Sequence, residues 1–385
     1  MPDTQRTIAV VTSSRADYSH LYWPLRALRK HPNINLRLIA MAAHLSPEFG
    51  HTIDDIEKDG FEIHERIECL LSSDSDVGMA KTIGAATMSL ADALGRMRPD
   101  LLLLIADRYE MLAPASVALA LRIPIAHIEG GEISAGAIDD SVRNALTKLS
   151  HVHFTPTRAA RDRVIGMGES PWRVHHVGAP SLDYLKHSSL VPREKLETVL
   201  GTKLASPVLV AAYHPVTLLR DTTAEADAFF EALSKFQGTI VFCFPNADAG
   251  SRALVQRARH FCDGRDCASL HIHLPTVQYF SLLNNADLMA GNSSSGIMET
   301  ASFSLPTVNV GFRQEGRQRA RNIIDVPPDA CAIIDGIQRA LEPGFRAGLD
   351  GMENPYGHGH AGELIAEILG SVTLDDKLLN KHSDA

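Results

Sequence analysis

Short apolar runs alternate with amphipathic stretches along almost the whole chain, and few folds accept that rhythm. Residues 7–11, 36–41 and 123–128 are compact strand-like runs and 101–106 is apolar on both faces, which suits strands buried in a parallel sheet. Between them lie stretches of helical character. Leu21, Leu25 and Leu28 recur at helical spacing, and residues 77–97 form a long periodic run stopped by Arg98-Pro99. Residues 111–122 continue the alternation, which pauses after 174–177 in a charged stretch (181–206) carrying one proline, Pro192. It then resumes with strands expected at 208–213, 239–244, 270–273, 287–290 and 307–310, and helices at 224–236, 251–261 and 276–285. Strand–helix alternation of this kind builds sheets covered on both faces. With 385 residues, one hydrophobic core is too small a unit. The expectation is an α/β protein of two Rossmann-like domains facing a cleft. The first spans 1–183, joined by a C-terminal helix at 361–376, and the second spans 184–360.

Composition removes several classes of function. Apolar residues make up 45% and charged residues 22%, as in ordinary globular proteins, and the formal charge of −9 leaves no basic footprint for nucleic acid. No apolar run reaches the length of a membrane span, and residues 1–6 lack the apolar core of a secretory signal. Five scattered cysteines, an odd number, argue against a disulfide framework. Together these point to a cytoplasmic protein with no nucleic-acid or membrane partner.

Ligands of such sheets bind beyond the carboxyl ends of the strands, and the unusual polar residues concentrate there. Thr12-Ser13-Ser14-Arg15-Ala16-Asp17 follows the first strand. Arg15 suits a diphosphate, although the segment also reads as a capped helix start with Ser13, Ser14 or Asp17 as cap. No G-x-G-x-x-G is present for a dinucleotide. Asp107-Arg108-Tyr109-Glu110 follows the apolar strand at 101–106, where either a catalytic acid or an N-cap belongs. His127-Ile128-Glu129-Gly130-Gly131-Glu132 precedes Asp139-Asp140, so four carboxylates fall within a short stretch whose mutual repulsion favours acid/base work. Strand alternation points His127 and Glu129 to the same side, and Asp139 doubles as an N-cap candidate. In the second half, His214 ends a strand in Tyr213-His214-Pro215-Val216-Thr217 and is a candidate proton carrier. Gly291-Asn292-Ser293-Ser294-Ser295-Gly296 opens a helix, where hydroxyls and amides suit a phosphate, with Glu299 placed for ribose hydroxyls. The G-N-S-S-S order does not match a serine-hydrolase elbow.

The H-x-H pairs His151/His153, His271/His273 and His358/His360 lack companion ligands at zinc spacing. Asp74-Ser75-Asp76, and Asp248 near Asn246, are not convincingly at strand tips. Neither a metal nor another cofactor is expected.

Taken together, S-R-A-D-Y-S (14–19), D-R-Y-E (107–110), H-I-E-G-G-E (127–132), D-D-S-V-R-N-A-L-T-K-L-S-H (139–151), H-P-V-T (214–217), G-N-S-S-S-G (291–296) and R-Q-E-G-R (313–317) resemble the hydrolysing UDP-N-acetylglucosamine 2-epimerases of sialic and nonulosonic acid biosynthesis. The likeness spans nearly the whole chain. It implies the glycosyltransferase-B-like architecture, no cofactor, and a homodimer or homotetramer. It also implies Asp107, Glu129, Asp139 and His214 as catalytic residues, with Arg15, Ser19, Ser293, Ser294, Glu299 and Arg313 holding the UDP-sugar. Three departures stand out: Ser13-Ser14 where many members carry Gly-Ser or Gly-Thr, Ala106 where glycine is frequent before the acid, and a loop between Glu129 and Asp139 one residue longer than in some members, which sets Asp140 beside Asp139 as the alternative. The implied chemistry has a physical logic. C2 of the sugar bears an unactivated hydrogen, so UDP leaves C1 first, a carboxylate removes the C2 proton to give a 2-acetamidoglucal, and water adds at C1 as a proton returns to the opposite face of C2. The same reaction on UDP- or GDP-linked N,N'-diacetylbacillosamine, leading to legionaminic acid, is the alternative. A retaining glycosyltransferase of the same fold, and a sugar-nucleotide-binding protein without catalysis, are further readings.

Overall fold

The computed structural model describes residues 5–71, 75–135, 137–244, 250–272 and 274–381. Asp74, Asn246, Asp248 and His273, and the first four residues, lie outside them.

The chain divides into two compact units. One comprises Met1–Glu132, Ile138–Lys186 and Gly357–Ala385, and the other comprises Ile133–Ala137 and His187–Tyr356. In the first, the strands β1 (Arg6–Thr12), β2 (Ile34–Met41), β3 (Ile63–Ile67), β4 (Leu101–Ile105), β5 (Ile125–Ile128), β6 (Val152–Thr155) and β7 (Val174–His176) form a sheet in the order β3-β2-β1-β4-β5-β6-β7. Every pairing is parallel. Strands β4, β5 and β6 are buried along their whole length, as two-sided cover requires. One face is covered by helix Arg15–Lys30, which inserts Leu21, Leu25 and Leu28, together with helix Ala361–Ser371, which inserts Ile365 and Leu369. Gly362 lets these two helices touch, because a Cβ there would lie 2.8 Å from the backbone of Trp23 and Pro24. Helix Asp76–Met97 covers the opposite face with Ala86, Leu90 and Leu94.

The second unit repeats the plan. Strands β8 (Val208–Ala212), β9 (Thr239–Cys243), β10 (Ala268–His271), β11 (Leu288–Gly291), β12 (Thr307–Val310) and β13 (Ile323–Val326) form a parallel sheet in the order β10-β9-β8-β11-β12-β13. Phe229, Phe230, Phe242 and Leu254 lead its core. Strand order reverses once in each sheet, between β1 and β4 and between β8 and β11. A crevice opens beyond the strand ends at such a reversal. No helix among the described residues is long and apolar enough to cross a membrane.

Three sequence expectations need correction. Strand β5 stops at Ile128, and Glu129 adopts a left-handed backbone, φ +66°. Strand alternation therefore does not carry through it, and His127 and Glu129 are not paired on one side: His127 bonds the Ala106 carbonyl, whereas Glu129 reaches His20. Asp139 is the first residue of helix Asp139–Leu149 rather than its cap, which is Ile138. Asp107 is not a cap either, because Arg108 precedes the 3-10 turn Tyr109–Met111 that leads into helix Leu112–Leu121.

Candidate active site

In the first unit, the turn after β1 is organised by Asp17. Ser14 caps helix Arg15–Lys30 in a reciprocal capping box with Asp17. The Asp17 carboxylate also accepts from Thr12 Oγ1 (2.7 Å), from Ser13 N and Oγ (2.8 and 2.9 Å) and from Ser14 N (3.0 Å). Burial pushes its pKa up. The hydrogen bond and charge of His44, with the Ser13 amide and Thr12 hydroxyl, outweigh burial and hold it below the ordinary aspartate value. Arg15, the first helical residue, is thereby held at the end of β1, partly exposed. Ser19 is partly exposed too, but its hydroxyl donates to the Ala16 carbonyl at 2.7 Å, so its described bond is spent within the helix.

At the neighbouring strand end, Asp107 follows Ala106, whose φ is +57°. This departure from glycine places a Cβ in the left-handed region, at a cost of roughly 1–2 kcal/mol. Asp107 pairs with Arg143, a guanidinium almost wholly buried, which also donates to the Glu132 carbonyl (3.0 Å) and lies 3.4 Å from Asp140 Oδ1. The crowding of carboxylates read from sequence thus has a cation built into it. Arg143 lies within the matched 139–151 segment; its spacing from Asp139 and Asp140 is that of one helical face, the signal that could have singled it out.

One strand further, Glu129 places Oε1 2.7 Å from His20 Nδ1. His20 went unnoticed in the sequence, where only its helix marked it. Gly131 is dictated by space: a Cβ there would meet the Ala160 carbonyl oxygen at 2.3 Å. His127 is buried, bonded through Nε2 to the Ala106 carbonyl at 2.8 Å, and its pKa is lowered by burial to about 4. It is a neutral structural residue that ties the β4 exit to β5.

In the second unit, Asn292 is the central residue, although only the motif around it was visible in sequence. Its Oδ1 accepts from the His214 amide (2.6 Å), its Nδ2 donates to the His214 carbonyl (2.9 Å), and its own carbonyl accepts from Arg313 Nη1 (3.1 Å) and Gln314 Nε2 (2.9 Å). His214 and Arg313, both buried, are therefore fixed by one residue. Gly291 permits this at φ +140°, since a Cβ would lie 2.0 Å from the Ala212 carbonyl oxygen. Ser293 and Ser294 are partly exposed beside them. The expected helix start is reduced to one turn, Ser295–Met298, followed by the 3-10 turn Thr300–Phe303. Its dipole adds little, and donors for an anion here are hydroxyls, amides and guanidinium. Glu299 is buried and accepts from Ser295 Oγ at 2.5 Å, while Tyr279 lies 2.6 Å from the same hydroxyl. Residues 133–137 belong to this unit as well. Ser134 accepts from Arg317, and Gly316 leaves room for Ile133.

Among the described residues no group of three or more His, Cys, Asp or Glu is arranged to hold a metal ion. What the two sets offer is acid/base chemistry in the first unit, where two carboxylates each face a basic partner. The second offers anion binding with a buried imidazole nearby.

Residues 26–370 match the model of the UDP-N-acetylglucosamine 2-epimerase family. A UDP-N,N'-diacetylbacillosamine 2-epimerase (hydrolyzing) of Legionella pneumophila is 35% identical over 379 residues, covering 98% of each chain. A GDP/UDP-N,N'-diacetylbacillosamine 2-epimerase (hydrolyzing) of Campylobacter jejuni is 35% identical over 84% of each. The fold is shared with the crystal structure of UDP-GlcNAc 2-epimerase from Neisseria meningitidis bound to UDP-GlcNAc, at TM-score 0.77 and 18% identity, over 94% of this chain and 99% of that one. By family match and by near full-length relatives, this chain belongs to the UDP-N-acetylglucosamine 2-epimerase family.

Proposed function

We propose that this protein is a hydrolysing 2-epimerase of a nucleotide-linked 2-acetamido sugar, and that UDP- or GDP-N,N'-diacetylbacillosamine precedes UDP-N-acetylglucosamine as its substrate. The order reverses that read from sequence, and it rests on the names of the two relatives at 35% identity. UDP-N-acetylglucosamine remains the second reading, favoured by the family match. The observation that carries the chemistry is the placement of Asp107 and Glu129 at the ends of adjacent strands, each beside a basic side chain.

Arg15, Arg313 and the hydroxyls of Ser293 and Ser294 stabilise the departing nucleoside diphosphate, the charge that grows as the C1–O bond breaks. Glu299 binds the nucleotide beside them, and Ser19 lines the Arg15 side. Asp107, Glu129 and Asp139 share the proton removal at C2 and the return of a proton to its opposite face, with His214 assisting. The first unit thus brings the carboxylates to the sugar together with Arg15 and Ser19, and the second brings the remaining nucleotide contacts together with His214. We assign the protein to the cytoplasm, a reducing compartment that suits its five free cysteines, and to a homodimer or homotetramer.

Incubation with each nucleotide sugar in D2O, followed by NMR, tests the reading. Free nucleoside diphosphate plus a 2-epimeric free sugar deuterated at C2 is the expected result, faster with the diacetamido substrate. Release of the sugar without C2 deuterium, transfer to an acceptor, or no reaction with any of the three substrates overturns it.

A further inference from the structure

No sequence motif singled out His20, yet it makes a short contact with a proposed catalytic carboxylate. Its Nδ1 stands 2.7 Å from Glu129 Oε1, and the two side chains are 21% and 9% exposed. Both ends of the contact are held by backbone. The Glu129 amide donates to the Phe154 carbonyl at 2.8 Å from a left-handed residue that cannot slide along its strand. His20 rides on the second turn of helix Arg15–Lys30, whose start is locked by the bonds converging on Asp17. The β5 exit and this helix therefore meet through an imidazole–carboxylate bond.

We infer that His20 is the positioning residue of Glu129, fixing the carboxylate for proton transfer at C2; this rests on reading Glu129 as an acid/base group. With Nδ1–H donating to Oε1, proton transfer falls to Oε2. The bond does not depend on the stage of the reaction, because Oε1 accepts from Nδ1–H both in the carboxylate and in the acid protonated on Oε2. A side chain that must abstract a proton and then keep its place needs such a partner, since misplacement of about 1 Å costs a large part of the rate. In the elimination the C2–H bond breaks and its proton passes to Oε2. The electron pair becomes the C1=C2 π bond, and the C1–O pair leaves with the nucleoside diphosphate. His20 makes and breaks no bond to substrate.

The test is a cycle of His20→Ala, Glu129→Ala and the double variant, with His20→Asn added because its Nδ2 reaches the place of Nδ1. His20→Ala is expected to lower kcat about 10- to 100-fold with KM changed less than about threefold, and His20→Asn to recover at least about fivefold of that loss. In the Glu129→Ala background His20→Ala is expected to change the residual rate less than about twofold, as for residues acting as one unit. A His20→Ala enzyme within about twofold of the parent, an equal loss in the Glu129→Ala background, or no recovery with asparagine overturns the inference. A readout independent of turnover is the side-chain 15N–1H signal of His20 Nδ1, expected in the parent and lost in Glu129→Ala. If the parent turns over no nucleotide sugar, the proposed function fails, while this signal still decides the pairing. A signal unchanged by Glu129→Ala overturns it.

Discussion

Ala106 and Glu129 leave adjacent strands through the same backbone region, at φ +57° and +66°, and neither is glycine. Both tips store strain at a site whose geometry the neighbouring elements enforce. The Ala106 methyl packs against the core of the first unit, but the left-handed backbone costs more than that contact contributes, so Ala106→Gly should raise stability by about 0.5 kcal/mol while leaving turnover intact. A rise in the urea midpoint at unchanged slope is the expected observation, and a fall would refute the strain. Glu129→Gln keeps the shape and removes the base, and should lower kcat by roughly 10²–10⁴-fold, measured as diphosphate release. The two residues differ in how far sequence revealed them. Ala106 stood out as a departure from a family pattern and Glu129 as an acid after a strand. That the acid turns off the strand and meets His20 was not legible, because period-2 alternation describes a strand only as far as its last pleat.

Among elements, β5 and β6 carry an uncommon load. His127 lies opposite His153 in their register, both fully buried, and His151 begins the turn into β6. Burial lowers all three pKa values, to about 4 for His127 and, with Lys381 and Arg173 contributing, to about 4 for His151. Above pH 6.5 each is neutral whether folded or unfolded. As the pH falls from about 6.5 to 4, the unfolded chain takes up protons that the folded chain refuses, so stability falls through that window and levels below it. His127 and His151 should each cost about 2–3 kcal/mol by pH 4. Urea unfolding at pH 7, 5.5 and 4.5 checks the slope, which His127→Gln should make shallower. Glu169 behaves oppositely. Burial raises its pKa, but His153, Lys148 and Lys381 outweigh burial and lower it to about 2, so it remains ionised throughout. Strand β6 was also among the least legible in sequence, whereas β5 fell within the run expected at 123–128. Strand β6 is four residues with a histidine and a threonine, and β3 and β13 are edges with polar residues, so none has the apolar run that marked β4 or β8.

At the scale of the molecule, the first unit is closed by the far end of the chain. Asp183 accepts from the amides of Ala361 and Gly362 at 3.0 and 2.7 Å. Arg173 donates to the carbonyls of Lys377, Leu378 and Asn380. A chain truncated after residue 356 loses Ile365 and Leu369 from that core and opens it to water on the side of Leu21, Leu25 and Leu28. It should aggregate or unfold well below the parent, as a thermal melt would show. A truncated chain that melts with the parent would contradict the packing. The two sheets were legible as a repeated pattern of strands and helices; their strand order was not, since alternation says nothing of which neighbour a strand chooses. That order makes Asp107 and Asn292 counterparts, each just past the strand that flanks the first strand of its sheet, each preceded by a residue of positive φ. The same post has been given to a carboxylate in one half and to an amide in the other. The amide donates to the His214 carbonyl, a bond no ionised acid could make, whereas the acid stands where Arg143 faces it. An exchange of Asn292 for aspartate would lose that donation although Arg313 already stands at the residue's carbonyl, and would yield a broken loop rather than a second acid.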